Sequence, residues 1–259
     1  SGATLRIFYS FMVPILGGRL WTTLTTLSLL IPAIGIGLAV QDPTTPYEVF
    51  AVLALLCGLG GGNFASSMSN ISFFYPKSEK GNALALNAGF GNLGVSIMQF
   101  LVPVVIGLGM FLPFVGAPQT AVDNGVSSTI WLQNAGFVWV PFILVAGTLA
   151  WFGMSDIASA RASFAEQSVV FKRKHNWVIC WLYLGTFGSF IGFSAAFPLL
   201  MKTLFPDSHS MQLVFLGPLV GAASRALTGW VSDKFGGHNV TQWVFIALAL
   251  GVLAVMHSV

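Results

Sequence analysis

The sequence predicts an all-α, polytopic membrane protein, and three observations carry that prediction. Only 7% of the 259 residues are charged while 55% are apolar, against about 25% charged in soluble globular chains. So few charges cannot cover the outside of a water-soluble globule of this length. The apolar residues gather into stretches of about 20, the length that crosses roughly 30 Å of hydrocarbon as a helix. The third observation is the placement of the basic residues, which fall almost entirely on alternate loops.

The stretch 2–16 reads as the tail of one span, and whole spans read near 20–40, 47–74, 82–110 and 134–153. Two more follow near 176–201 and 211–232, and a clipped one starts near 241. Loops are marked by Gln41-Asp42-Pro43, by Tyr75 to Lys80, by the longer runs 116–128 and 155–174, and by Phe205-Pro206-Asp207. Residue 1 is Ser and the run from Phe245 to Val259 reads as the middle of a helix, so both ends look cut. The chain is expected to be part of a longer one, with no signal peptide. Cys57 and Cys180 both lie in apolar stretches and read as packing residues, with no disulfide expected.

Alternate loops must face alternate sides. One side then receives Arg19, Lys77, Lys80, Arg161, Lys172, Arg173, Lys174 and Lys234, and the other only Lys202. The poorer side is marked instead by Asp42, Glu48, Asp123 and Asp207. Positive-inside bias puts the first set in the cytoplasm. Residues 1–154 are then expected to form part of an N-terminal bundle, 155–174 a cytoplasmic linker, and 175–259 part of a C-terminal bundle.

Two segments repeat one pattern. Gly2-Ala3-Thr4-Leu5-Arg6 runs on for ten residues to Gly17-Gly18, with Thr22 four beyond. Gly221-Ala222-Ala223-Ser224-Arg225 runs on for ten to Gly236-Gly237, with Thr241 at the same offset. Duplicated halves around one site are a common transporter plan. Eleven residues from arginine to glycine amount to about 16 Å of helix at about 1.5 Å per residue. Counted from a cytoplasmic boundary, that puts Arg6 and Arg225 near mid-membrane, where a charge needs a compensating partner.

The partner could be an intramembrane carboxylate. All eight acids, however, map to loops or span ends: Asp42, Glu48, Glu79, Asp123, Asp156, Glu166, Asp207 and Asp233. A small oxyanion as substrate is the sharper reading, since a planar guanidinium offers it a fork of donors. Gly58, Gly62 and Ser66 lie on one helical face and read as close helix packing. Asn92, within Asn87-Ala88-Gly89-Phe90-Gly91-Asn92-Leu93-Gly94, could donate to an anion or bond another helix. Tyr183 and Phe187, one turn apart, could wall a site or simply pack. No nucleophile–base pair and no metal-ligand cluster stands out, and no basic run interleaved with aromatics suggests nucleic acid.

Several of these segments resemble the nitrate/nitrite porter family of the major facilitator superfamily. They are Gly60-Gly-Gly-Asn-Phe-Ala-Ser-Ser-Met68, Ser72-Phe-Phe-Tyr-Pro-Lys77 and the Asn87–Gly94 stretch, with Ser1 to Ser10, Gly17 to Thr22 and Thr186 to Ser194 in support. The resemblance covers the whole chain. It implies twelve spans, of which these residues would hold the second to the ninth, each end in part. It further implies a multi-pass protein of the bacterial inner membrane, monomeric, serving nitrate assimilation, with nitrate and nitrite as its ligands and no cofactor.

Under the resemblance, Arg6 and Arg225 match the family's paired substrate arginines, and Asn92 falls on its signature helix. Phe64, Tyr183 and Phe187 match its pocket aromatics. Gly89 and Gly91 lie on the same signature helix, Gly229, Asp233 and Gly236 fit the superfamily's loop motif after the eighth span, and all five are expected to serve helix packing or conformational change. Ser10, Pro14 and Gly17 stand at the corresponding first-half positions, so that copy is degenerate. Ala88 stands where many members have glycine.

The expected mechanism is alternating access, with nitrate exchanged for nitrite, because two like positive charges that repel and are desolvated would oppose passage of the empty carrier. His175, His209, His238 and His257 all map to span ends or loops, so no mid-span proton relay is visible. A proton-coupled nitrate symporter, a porter for another small anion and a membrane haem anchor are the alternatives. The histidine positions speak against the last.

Overall fold

The computed structural model describes residues 2–109, 116–123, 126–157, 160–205 and 213–258. The long apolar stretches are helical, as the sequence predicts. Helix α1 spans Gly2–Leu16, and α2 (Gly18–Ser28) continues through Leu29 into α3 (Leu30–Ala39). Then come α4 (Tyr47–Phe74) and α5 (Lys80–Gly107). The short α6 (Asn134–Phe137) leads into α7 (Trp139–Gly153). Later elements are α8 (Phe164–Gln167), α9 (Lys174–Leu204), α10 (Leu216–Leu227), α11 (Gly229–Phe235) and α12 (Gly237–Ser258). Among the described residues, six helical stretches are long and apolar enough to cross a membrane.

The loop expected at 116–128 holds two strands, which is a difference from the sequence reading. Strand β1 (Gln119–Asp123) pairs antiparallel with β2 (Val126–Ile130), Gln119 opposite Ile130. Side-chain amides tie this hairpin to the helices around it. Gln119 donates from Nε2 to Gln133 Oε1 at 3.1 Å, and its own Oε1 accepts from the Leu132 N–H at 3.1 Å. Asn134 donates from Nδ2 to the carbonyls of Val105 (3.0 Å) and Leu108 (3.3 Å), at the end of α5 where helix carbonyls lack intrahelical partners. The expected loop 155–174 likewise contains α8 and a 3₁₀ turn at Ser168–Lys172.

The chain divides into two compact units. The first comprises Ser1–Phe73 with Met98–Gln167, the second Phe74–Ile97 with Ser168–Val259, so α5 belongs to both. In the first unit α2 and α3 pack along α6 and α7. Glycine makes the approach close: Leu27 lies over Gly147, the Phe137 ring over Gly37, and Gly136 against the Ala33 carbonyl. Between α2 and α4 lies a small polar network, in which Thr25 donates to Asn63 Oδ1 at 2.6 Å and Ser66 donates to the same oxygen at 3.1 Å. In the second unit the N-terminal half of α5 lies against α10 and α11, and Gly221 of α10 lies under the Phe190 ring of α9.

The cysteines correct one expectation. Cys57 and Cys180 are free thiols exposed on the chain's surface, so neither is a packing residue. Each is exposed on a long, mostly apolar helix, and such a face suits lipid.

Candidate anion-binding site

Arg6 lies on α1 and is half-buried in the first unit. Its Nε donates to the Gly61 carbonyl of α4 at 3.1 Å. Its guanidinium carbon stands 4.8 Å from the centre of the Phe64 ring, one helical turn along α4. Two features of the sequence make this contact possible. Gly2 meets Gly58 and Gly61 backbone to backbone, and a Cβ added at Gly2 would lie 3.2 Å from the Gly61 Cα. A turn further on, Gly62 lies under the Tyr9 ring, where an added Cβ would come within 2.6 Å. The glycine face of α4 therefore lets α1 approach closely enough for a tethered guanidinium. A carbonyl acceptor and an aromatic ring face both attract the cation and hold it in place.

Arg225 lies in the last turn of α10 and is half-buried in the second unit. Asn92 of α5 is 7% exposed, in line with Ala88 and Ser96 on one buried face. Ser96 Oγ donates to the Phe215 carbonyl at 2.9 Å, one turn beyond Asn92. Tyr183 and Phe187 of α9 stack with their centroids 5.2 Å apart and their planes 6° from parallel. Phe64 thus meets Arg6 within the first unit, while Arg225, Asn92, Tyr183 and Phe187 belong to the second.

The glycines divide by role. Gly89 meets Ala226 and the Ala222 carbonyl of α10, and Gly229 meets Ala85 and Asn82 of α5. Gly91 is different: no described atom lies within 4 Å of a Cβ added there, so it serves no helix packing in the described chain. It lies off the stripe formed by residues 81, 85 and 89, which is the face of α5 that meets α10 and α11. At Gly236 too, no described atom lies within 4 Å of an added Cβ, but its backbone sits at φ 82°, ψ 133°, a conformation suited to glycine. Asp233 accepts the Asn82 N–H at 2.9 Å through Oδ2, at the first turn of α5. There the unpaired N–H groups and the helix dipole favour a carboxylate.

The first repeat has the same backbone break at Gly17, with φ 94° and ψ 147°. The carboxylate there comes from Asp156, just past α7, whose Oδ1 accepts the Arg19 N–H at 2.9 Å. Neither the role of Asp156 nor that of the Gly61 carbonyl is legible in the sequence. Asp156 stands 137 residues from Arg19, and a backbone acceptor leaves no signal in residue type. Among the described residues the carboxylates lie in loops, in the hairpin or at helix ends, and none of their groups could hold a metal ion.

A chain of membrane-length helices, carrying a repeated glycine-turn unit with an arginine in each copy, marks a multi-pass membrane protein. It belongs to the Major Facilitator Superfamily, whose sequence profile matches residues 1–259. Its relatives include the nitrate/nitrite transporter NarU of Salmonella typhimurium, 55% identical over 96% of this chain and 54% of that protein. NarU of Escherichia coli is 54% identical over 96% of this chain and 54% of that protein. A probable nitrate/nitrite antiporter of Thermus thermophilus, NarK2, is 48% identical over 98% and 58%. The chain spans about half the length of these relatives. Both the superfamily and these names describe transporters, not enzymes.

Proposed function

We propose that the full-length protein exchanges nitrate for nitrite across the bacterial inner membrane by alternating access. The bundles of residues 1–154 and 175–259 rock about the anion, joined by the linker 155–174. The observation that carries the reading is the seat of Arg6. A guanidinium on an apolar helix is tethered at Nε and backed by an aromatic ring, in a chain about half identical to proteins named nitrate/nitrite transporters.

Nitrate and nitrite are planar, singly charged and small. Their in-plane oxygens accept two parallel N–H bonds from a guanidinium, a match that a lysine ammonium cannot make. Arg6 and Arg225 supply those forks, Asn92 supplies a neutral donor, and Phe64, Tyr183 and Phe187 confine the anion's flat faces. Without an anion, two like charges in a low-dielectric setting repel, and closure of the empty carrier is costly. With an anion between them the repulsion is relieved, so only the loaded carrier crosses. Exchange follows from that asymmetry.

Proteoliposomes holding the full-length protein test this directly. Nitrate should enter vesicles loaded with nitrite and should not enter empty ones, with or without an imposed proton gradient. Gradient-driven entry into empty vesicles would mean symport and would overturn the exchange reading.

A further inference from the structure

The second half of the linker carries a feature that transport does not use. After Gln167 the chain passes from the first compact unit to the second and forms the 3₁₀ turn Ser168–Lys172. Val169, Val170 and Phe171 are all exposed there, at 48%, 36% and 40%. Three consecutive basic residues follow, Lys172, Arg173 and Lys174, and each is exposed. Apolar side chains turned outward beside a run of cations are an unusual combination for a segment facing water alone.

The helix that follows fixes the depth of this segment. Helix α9 has 31 residues, about 46 Å at about 1.5 Å per residue, which exceeds a hydrocarbon core of about 30 Å. Its first turns therefore extend into the headgroup region. Trp177 lies one turn inside and is 58% exposed. Its indole N–H donates to the Phe171 carbonyl at 2.9 Å, and its ring lies 6.5 Å from the Phe171 ring. Tryptophan prefers that interfacial depth, and here it ties the 3₁₀ turn to the helix start. The acid closest along the chain, Glu166, is engaged by Ser163, whose N–H and hydroxyl donate to Oε2 at 2.7 and 3.0 Å. It belongs to the other unit.

We infer that Val169 to Lys174, braced by Trp177, forms a docking surface for anionic phospholipid of the cytoplasmic leaflet. The three cations meet headgroup phosphates while Val169, Val170 and Phe171 enter the acyl boundary. Charge complementarity selects this occupant: juxtamembrane basic clusters are drawn to anionic lipid, and the exposed apolar side chains have no use for a free phosphate. The inference stands independently of the transported substrate.

The full-length protein would be placed in phosphatidylcholine bilayers with or without phosphatidylglycerol, and the lipid retained on release read by native mass spectrometry. Wild type should retain phosphatidylglycerol in preference. Removing Lys172, Arg173 and Lys174 together by substitution with Gln should weaken that preference, by up to roughly fivefold per charge at low salt. Because lost cations could also disturb insertion, a second readout uses the unaltered charges. Brominated phosphatidylglycerol should quench tryptophan emission in wild type more than in Trp177→Phe. Three outcomes would overturn the inference: equal retention in the Gln variant, displacement of the lipid by inorganic phosphate, or no quenching that depends on Trp177. The last would mean that protein covers the surface.

Discussion

In the first repeat the helix carrying Arg6 runs unbroken for 15 residues to Gly17. In the second, the helix carrying Arg225 stops at Thr228 and resumes as α11 before reaching Gly236. Both glycines nonetheless hold nearly the same backbone, φ 94° and ψ 147° against φ 82° and ψ 133°. The carboxylates differ more. Asp156 reaches the turn of the first repeat from the end of α7, whereas the second repeat sends out its own Asp233 to the start of α5. Pro14 stands in the first copy where the second has Asp233, and a proline can offer no carboxylate. The two copies share the turn, while the acid at a helix start comes from a different place in each.

The largest expected effect breaks the two copies alike. Arg6→Ala and Arg225→Ala should each abolish exchange in proteoliposomes while leaving insertion intact, and Lys at either position should not restore it. Unequal losses, with one variant still exchanging normally, would make the arginines functionally distinct.

The glycine turns should separate the copies by stability. Gly17→Ala meets backbone strain of about 1–3 kcal/mol and a steric conflict as well, because its Cβ would lie 2.8 Å from the Asp156 carboxylate. Gly236→Ala meets the strain alone, since no described atom lies near its Cβ. The unfolding midpoint of the solubilised protein should therefore fall further for Gly17→Ala. Equal shifts would show that Asp156 moves aside at no cost.

The two caps should act more mildly. Asp156→Ala and Asp233→Ala each remove a carboxylate from a helix start, at a cost of about 0.5–2 kcal/mol. Asp233→Ala should in addition slow exchange, because its bond to the Asn82 N–H joins α11 to α5. Asp156→Ala should lower stability with little change in rate, and a comparison of initial exchange rates with melting midpoints checks both.

The smallest effect is that of pH. Hydrogen bonds from the Thr44 hydroxyl and backbone hold the Asp42 carboxyl below its ordinary range, and bonds from Ser163 do the same for Glu166. A carboxylate whose pKa is depressed on folding contributes stability above its unfolded pKa and loses it as pH falls through the folded value. Both contributions are then fully present at neutral pH and fade only in acid. Exchange should be flat between about pH 6 and 8, where histidine side chains normally titrate.

Much of this fold is legible in the sequence because lipid imposes one simple rule: helices must be long, apolar and bounded by polar breaks. The spans read at 47–74 and 134–153 agree with α4 and with α6–α7. The hairpin 119–130 was harder to see, since its strands are short and polar. The Asn124-Gly125 pair between them, outside the described residues, was the available signal. At the candidate site, arginine is conspicuous in an apolar helix, so Arg6 and Arg225 stand out. The Gly61 carbonyl does not, because any residue carries one. Gly91 shows the limit of residue type: it stands on the same helix as Gly81 and Gly89, which each meet a neighbour, yet no described atom lies within 4 Å of a Cβ added there.

The central claim is that Arg6 and Arg225 hold one anion together. The most direct test is nitrate binding to the full-length protein by calorimetry, in wild type, Arg6→Lys and Arg225→Lys. Wild type should bind a single nitrate per protein, and neither variant should bind measurably. Two nitrates per protein, with each variant losing one and keeping the other, would contradict the claim.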